Sequence, residues 1–224
     1  MTRMYIVRHC EAMGNVLRIF QGSTDLDISE LGKVQLKFLE ERFNAIPLDR
    51  IYSSPLKRAQ KTAEAIKGAK NLEVENLSGL TELYGGIVEG KPFKEAFNSI
   101  EGLADIWDNH PEDFAPDGAE PMRNAYERIW YTIYDIAKEN KDKVVAISSH
   151  GGVIRCLMCR LSKGNIKELK SIDWCENTGV SLIEFDDNLK PTVVFYNDYS
   201  HLPEKFVNRK TRLASFMATE VNKK

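Results

Sequence analysis

The sequence has no long apolar run and no excess of positive charge. It contains no stretch of about 18 apolar residues, so no membrane span is expected, and the N-terminal MTRMYIVRH lacks the apolar core of a signal peptide. Its 31 Lys and Arg residues against 33 Asp and Glu residues give a formal net charge of −2. That balance argues against a nucleic-acid or anionic-membrane partner. We expect a cytoplasmic protein, in which a local arginine cluster would suffice to bind an anionic substrate.

Cysteine is also scarce. The four residues, Cys10, Cys156, Cys159 and Cys175, are expected to be thiols in a reducing compartment. The Cys156-x-x-Cys159 pair has no second pair of Cys or His to complete a zinc site. It falls within the apolar helical pattern VIRCLMCRL, where cysteine acts as a small hydrophobic residue.

Short apolar segments alternate with amphipathic segments along the chain, which predicts an α/β fold with a mostly parallel sheet. The predicted strands cover residues 4–7, 50–53, 72–78, 143–148, 180–186 and 192–196, and the predicted helices cover residues 29–44, 57–69, 123–139 and a segment after His150. The segment of residues 84–121 is looser, with glycines, prolines and short helical pieces. We expect it to form a cap within a single domain of residues 1–224.

Histidine and arginine follow several of the predicted strands. One strand ends in Arg8-His9, another ends at His150 before two glycines, and Arg58 comes soon after a third. Each residue alone is commonly structural, but the carboxyl ends of parallel strands share one edge, so these groups should converge. Arginine binds phosphate in a bidentate manner and favours the neutral form of a nearby histidine. Because neutral imidazole can attack phosphorus, the pattern predicts a phosphate site with His9 as nucleophile and His150 beside it.

The same segments resemble, in order and over nearly the whole chain, motifs of the histidine phosphatase superfamily, the phosphoglycerate mutase-like proteins. The matching strings are RHCEAMGN at 8–15, QG at 21–22, SSPLKRAQKTAE at 53–64, LTELYGG–VEGK at 80–91, SSHGGVIR at 148–155 and NDYSHL at 197–202. This resemblance implies a three-layer αβα sandwich with a mostly parallel central sheet and a small helical cap insertion. It implies no metal and no other cofactor, because arginines supply the positive charge.

The resemblance also implies a role for each matching residue. His9 is the expected phosphoacceptor, and Glu82 is the expected proton donor to the leaving oxygen, with a raised pKa. The other catalytic residues are Arg8, Arg58 and His150, and the substrate contacts are Arg8, Asn15, Gln21, Gly22, Arg58, His150 and Gly151. Without the resemblance, Glu11, Glu89 and Glu120 compete equally with Glu82.

The expected function is hydrolysis of a small phosphate monoester through a phosphohistidine on His9. One alternative is mutase-type transfer of the phosphoryl group to a second hydroxyl, as in phosphoglycerate mutases. The modest insertion after the Glu82 segment and the short tail RLASFMATEVNKK favour hydrolysis. A second alternative is a catalytically silent binding module, but such modules usually lose the nucleophilic histidine or an arginine. We expect a monomer or a homodimer, with the substrate selected by the cap.

Cys10 departs from the family pattern, which usually has glycine at this position. The positive field of Arg8 and Arg58 would lower the pKa of a neighbouring thiol and make it reactive. The sequence therefore suggests that oxidation of Cys10 inhibits the protein reversibly.

Overall fold

The computed structural model describes residues 1–207, so the tail RLASFMATEVNKK at 212–224 lies outside the described residues. The strands are β1 Thr2–Arg8, β2 Arg50–Ser53, β3 Val74–Asn76, β4 Val144–Ser149, β5 Val180–Phe185 and β6 Pro191–Asp198. The α-helices are α1 Met13–Leu17, α2 Glu30–Asn44, α3 Lys57–Lys67, α4 Phe93–Asn98, α5 Leu103–Asn109, α6 Met122–Glu139 and α7 Gly151–Lys163.

The predicted strands and long helices are all present, with small changes of length. Helix α2 begins where Ser29 caps it, since the Ser29 hydroxyl accepts a hydrogen bond from Gly32 N at 3.0 Å. The helical pieces predicted within 93–107 form two helices, α4 and α5, and Gly102 adopts a φ of 76° between them. The short helix α1, just after His9, is an element that the periodicity does not predict.

The six strands form one sheet in the order β3-β2-β4-β1-β5-β6. Strands β1 to β4 are parallel to their neighbours within this group, whereas β5 pairs antiparallel with both β1 and β6. The predicted mostly parallel sheet is therefore confirmed. Within residues 1–207, none of the helices combines the length and the apolar character needed to cross a bilayer.

Helices cover both faces of the sheet, which confirms the predicted three layers. Side chains alternate along β1, so Met4 and Ile6 pack into the core formed with α6 and α7. Val7 points to the opposite face, into the core formed with α2 and α3, which includes Leu39 and Ile66. Burial on both faces explains why the central strands are almost continuously apolar.

The strand register places the chain segments that carry the candidate site residues at the same edge of the sheet. Arg8 at the end of β1 lies opposite Ser149 at the end of β4, and Ser53 at the end of β2 lies opposite Ser148. Beyond the strands, His9 N donates to Ser149 O at 2.9 Å and extends the pairing by one residue. The chain segments that carry His9, His150 and Arg58 therefore leave the sheet side by side.

Candidate active site

His9 sits directly after β1 and is 4% exposed. Its ring Nδ1 lies 2.7 Å from the carbonyl oxygen of Cys10. Because a carbonyl oxygen can only accept a hydrogen bond, Nδ1 must carry the proton in the neutral ring. The other nitrogen, Nε2, therefore holds the lone pair that a nucleophile needs.

Burial and positive neighbours keep both histidines neutral. Burial lowers the pKa of His9 well below its usual value, and the charges of Arg58 and Arg8 lower it further. The pKa of His150 is lowered in the same way, first by burial and then by Arg58. The two rings lie 5.2 Å apart between centroids, and His150 Nε2 is 2.7 Å from Ser54 Oγ. The unprotonated imidazole needed for attack on phosphorus is thus the resting form of His9.

The two arginines are held by backbone carbonyls. Arg8 Nη1 donates to Cys175 O at 2.5 Å. Arg58 is fully buried and donates from Nη1 to Thr24 O at 2.9 Å and from Nη2 to Gly22 O at 2.7 Å. Burial lowers the pKa of Arg58 to about 10, so its guanidinium remains charged at neutral pH. In both side chains Nε is buried without a hydrogen-bond partner among residues 1–207, which leaves donor capacity for an anion.

Glu82 approaches the same place from the loop that precedes α4. Its carboxylate accepts hydrogen bonds from Gly152 N at 2.9 Å and from Val153 N at 3.1 Å, in the first turn of α7. It lines one cleft together with Arg8 and His9. A carboxyl group in this cleft can deliver a proton to a leaving oxygen or take one from water.

The other three carboxylates that competed with Glu82 are bound outside the cleft. Their partners are Ser29 Oγ for Glu11 at 2.5 Å, Thr24 Oγ1 for Glu89 at 2.6 Å and Arg128 for Glu120 at 2.6 Å. Of these four carboxylates, Glu82 is the one that lines the cleft, a distinction that the pattern of the sequence does not make.

The remaining predicted residues divide into lining and supporting groups. Asn15, Gln21 and Gly151 line the cleft with Arg8, His9 and Glu82. Arg58 and His150 are fully buried behind this lining. Gly22 is buried too, and a Cβ added there would lie 2.2 Å from Leu83 O. Its carbonyl holds Arg58, so the structure places Gly22 behind the wall as a support for an arginine.

Sequence reasoning missed the aromatic part of the cleft. Phe20, Phe93, Trp107 and Trp174 all line it, although they come from distant parts of the chain. Phe93 and Trp107 belong to the 84–121 segment, whose role as a cap stays a prediction. No spacing or periodicity in the sequence connects these four residues, so nothing short of the tertiary structure could have grouped them.

The prediction for Cys10 is wrong in its premise. Cys10 is fully buried, and burial raises the pKa of its thiol to about 12. Its backbone N–H donates to Thr62 Oγ1 at 3.0 Å. Desolvation is the largest influence on this pKa, and neither Arg8 nor Arg58 is among the groups that lower it, so the reactive thiolate is disfavoured at neutral pH. Cys156 and Cys159 are likewise buried free thiols, as their place in the helical pattern indicated.

We expect the free energy of unfolding to fall as the pH drops from about 6.5 towards 4. In the folded protein the pKa values of His9 and His150 are well below normal, and burial lowers that of His201 to about 4. The unfolded chain binds protons at these histidines near the ordinary value of about 6.5, whereas the folded chain does not. Each extra proton taken up on unfolding gives a slope of about 1.4 kcal/mol per pH unit.

Urea unfolding measured over this pH range tests the expectation. Because carboxylates also titrate towards pH 4, the variant His201→Gln serves as the internal comparison. It should reduce the slope by the contribution of one proton between pH 6.5 and 4. A slope identical to that of the wild type would show that His201 does not remain neutral in the folded protein.

Comparisons with known proteins identify the family and the fold. A sequence profile of the histidine phosphatase superfamily (branch 1) matches residues 4–199. Phosphoserine phosphatase 1 of Hydrogenobacter thermophilus is 30% identical over 92% of this chain and 97% of its own length. The solved structure of Bacillus stearothermophilus YhfR superposes with a TM-score of 0.86 at 29% identity, covering 90% of this chain and 99% of that one.

A second solved structure, the Entamoeba histolytica phosphoserine phosphatase in complex with 3-phosphoglyceric acid, shares the fold as well. Its TM-score is 0.79 at 27% identity, and the match covers 91% of this chain and 100% of that chain. The chain thus matches these proteins over almost its full length.

Proposed function

The chain belongs to the histidine phosphatase superfamily and is a phosphatase, and we propose that it hydrolyses a small phosphate monoester through a phosphohistidine on His9. The observation that carries this proposal is the bond from His9 Nδ1 to Cys10 O, which leaves Nε2 unprotonated beside two arginines. Relatives named as phosphoserine phosphatases support a small primary-alkyl phosphate as the substrate class.

In the first half-reaction, His9 Nε2 attacks phosphorus and the bond from phosphorus to the ester oxygen breaks. Arg8 and Arg58 bind the equatorial oxygens, where charge must be stabilised as the phosphoryl group moves. His150, held by Ser54, lies beside the acceptor ring. The leaving oxygen takes a proton from the Glu82 carboxyl group and departs as the alcohol.

In the second half-reaction, a water molecule replaces the alcohol. Glu82, now a carboxylate, takes a proton from this water as the water oxygen attacks phosphorus. The bond between Nε2 and phosphorus breaks, which releases inorganic phosphate and restores His9. The proton gained by Glu82 is the one needed for the next turnover, so the cycle balances.

The same phosphoenzyme could return its phosphoryl group to a second hydroxyl, which is the mutase alternative. The names of the curated relatives favour hydrolysis. The binding-module alternative is opposed by the chain itself, in which Arg8, His9 and Glu82 line one cleft and His150 and Arg58 lie close to His9. The cytoplasmic location and the monomeric or homodimeric state stay predictions.

The role of Glu82 gives the sharpest test of this proposal. Glu82→Gln should lower kcat/KM for an alkyl phosphate by about 10²- to 10⁴-fold, because the alkoxide can no longer leave as the alcohol. The loss should be much smaller for p-nitrophenyl phosphate, whose leaving group departs without a proton. Phosphate release from both esters is measured for the wild type and the variant, with Glu120→Gln as a carboxylate control outside the cleft.

Two outcomes would contradict the proposal. Equal losses for the alkyl and aryl esters would remove Glu82 from the role of general acid. Isomerisation of 3-phosphoglycerate in the presence of 2,3-bisphosphoglycerate, at a rate above phosphate release, would establish the mutase alternative instead.

A further inference from the structure

The wall of the cleft beyond the phosphate-binding groups is aromatic. Phe20, Phe93, Trp107 and Trp174 form much of this surface. Phe20 packs against Phe93 at 5.9 Å between ring centroids, and Trp107 stacks on Trp174 at 6.0 Å with an interplanar angle of 25°. The part of a substrate that projects from its phosphate therefore meets flat apolar rings.

In the cleft, Trp174 lies next to the phosphate-binding groups. A Cβ added to Gly151 would lie 3.2 Å from Arg8 Nε and 3.4 Å from Cε3 of Trp174, so Gly151 separates the guanidinium from the indole by a single residue. The next residue after Trp174 is Cys175, whose carbonyl accepts the hydrogen bond from Arg8. One short segment thus positions both the phosphate-binding arginine and the adjoining aromatic ring.

The Trp174 ring is held before any ligand arrives. The Arg155 guanidinium lies 5.0 Å from its centroid, and Arg155 Nε is fixed by a 2.7 Å hydrogen bond to Ile172 O. Trp107, which stacks on Trp174, is itself packed against Phe114 at 4.8 Å. A ring held by such neighbours loses little conformational freedom when a ligand packs against its part that lines the cleft, so its contact favours affinity.

Charged groups are few in the rest of the cleft. Arg8, His9 and Glu82 have roles in the chemistry, and the exposed Arg18 lies at the rim. Among the described residues that line the cleft, Glu82 is the sole carboxylate. An amino-acid head group with an ammonium would therefore compete with the reaction for its only anionic partner, whereas an apolar ring would find a matching surface.

We propose that this cleft selects phosphate monoesters of primary alcohols that carry an aromatic ring, with Trp174 as the residue that determines this preference. The proposal rests on the proposed hydrolytic function and narrows its substrate class. The ring of the alcohol packs against the cleft wall formed by Trp174, Trp107, Phe20 and Phe93 while the phosphate binds the arginines.

Three esters with similar primary alkyl leaving groups test the preference: ethyl phosphate, 2-phenylethyl phosphate and O-phospho-L-serine. Their chemistry at phosphorus is alike, so differences in kcat/KM report the contacts of the alcohol. Burial of a phenyl group against an apolar wall should raise kcat/KM for 2-phenylethyl phosphate over ethyl phosphate by on the order of 10- to 100-fold. It should also exceed the value for phosphoserine.

Variants then assign the preference to one ring. Trp174→Ala should reduce the ratio of kcat/KM for 2-phenylethyl over ethyl phosphate by about tenfold, mainly through KM, and Trp174→Phe should retain most of it. Trp130→Ala is the matched control, because Trp130 packs on Arg160 and Tyr134 away from the cleft. It should leave the ratio unchanged.

The possible failures are distinguishable. Hydrolysis of all three esters at similar kcat/KM, or a preference for phosphoserine, would overturn the inference and leave the hydrolytic function standing. A ratio that Trp174→Ala leaves intact would overturn the role of Trp174. Absence of phosphate release from every ester would overturn the proposed function and this inference together.

Discussion

His9→Ala is expected to remove phosphate release from any monoester, with a loss of about 10⁴-fold or more in kcat, and to abolish the phosphoenzyme. Among the described residues that line the cleft, His9 is the only histidine. His150 lies near it, but its Nε2 is engaged with Ser54 and it lies behind the cleft lining. The fold should remain intact, because within residues 1–207 the His9 side chain makes one hydrogen bond, which is local, to Cys10 O.

The test measures both the rate of phosphate release and the formation of the phosphoenzyme. Phosphate release is followed at saturating substrate, and the phosphoenzyme is trapped by denaturation in alkali, where phosphohistidine survives while it hydrolyses in acid. His110→Ala is the matched control, since His110 is exposed and does not line the cleft. Substantial activity in His9→Ala, or an acid-stable phosphoprotein in the wild type, would falsify the assignment of His9 as nucleophile.

The sequence pattern was sufficient to predict that His9, His150 and Arg58 lie close together. All three follow parallel strands, and the carboxyl ends of such strands meet at one edge, as the pairing of Arg8 with Ser149 shows. Backbone pairing alone carries this information, so a strand pattern is enough to predict it.

The positions of Glu82 and of the aromatic residues that line the cleft could not be predicted from the strand pattern. Glu82 comes after the short edge strand β3, in a loop segment; it is placed by hydrogen bonds from Gly152 and Val153, which only the docking of its loop on α7 creates. Trp107 in α5 meets Trp174 in the loop before β5, and these two segments have no fixed relation along the chain. The resemblance to a known family supplied Glu82, but nothing in the motifs supplied the tryptophans.

Cys10 shows a second limit of prediction from the sequence, which is the depth of burial of a side chain. Its nearness to Arg8 and Arg58 suggests a positive field, but the sequence does not state how deeply the thiol is buried. In the folded chain desolvation is the largest influence on its pKa and raises it, and of its charged neighbours Glu11 raises the pKa and Lys61 lowers it. Predictions of reactivity from charged neighbours therefore need the side chain's exposure as well.

Arg58→Met is expected to damage both stability and catalysis. The side chain is fully buried and donates to three backbone carbonyls of the loop at residues 21–24: Gly22 O at 2.7 Å, Thr24 O at 2.9 Å and Gln21 O at 3.2 Å. Each carbonyl left without a donor costs about 1–3 kcal/mol. Relief of the desolvated charge offsets part of this loss, so we expect the free energy of unfolding to fall by about 2–4 kcal/mol. Loss of a buried positive charge from the phosphate site should lower kcat/KM by about 10³-fold.

Urea unfolding and steady-state kinetics on one ester separate the two effects when Arg58→Lys is added. Lysine restores the charge but not the planar fork that reaches these carbonyls, so it should recover part of kcat/KM and little of the stability. The matched control is Arg50→Met. The Arg50 side chain is 52% exposed on β2, and its Nη1 lies 3.7 Å from Glu75 Oε2. A surface change of this kind should shift stability by about 0.5 kcal/mol or less. If Arg58→Met behaves like this control in both measurements, Arg58 neither organises the loop nor stabilises the transferred phosphoryl group.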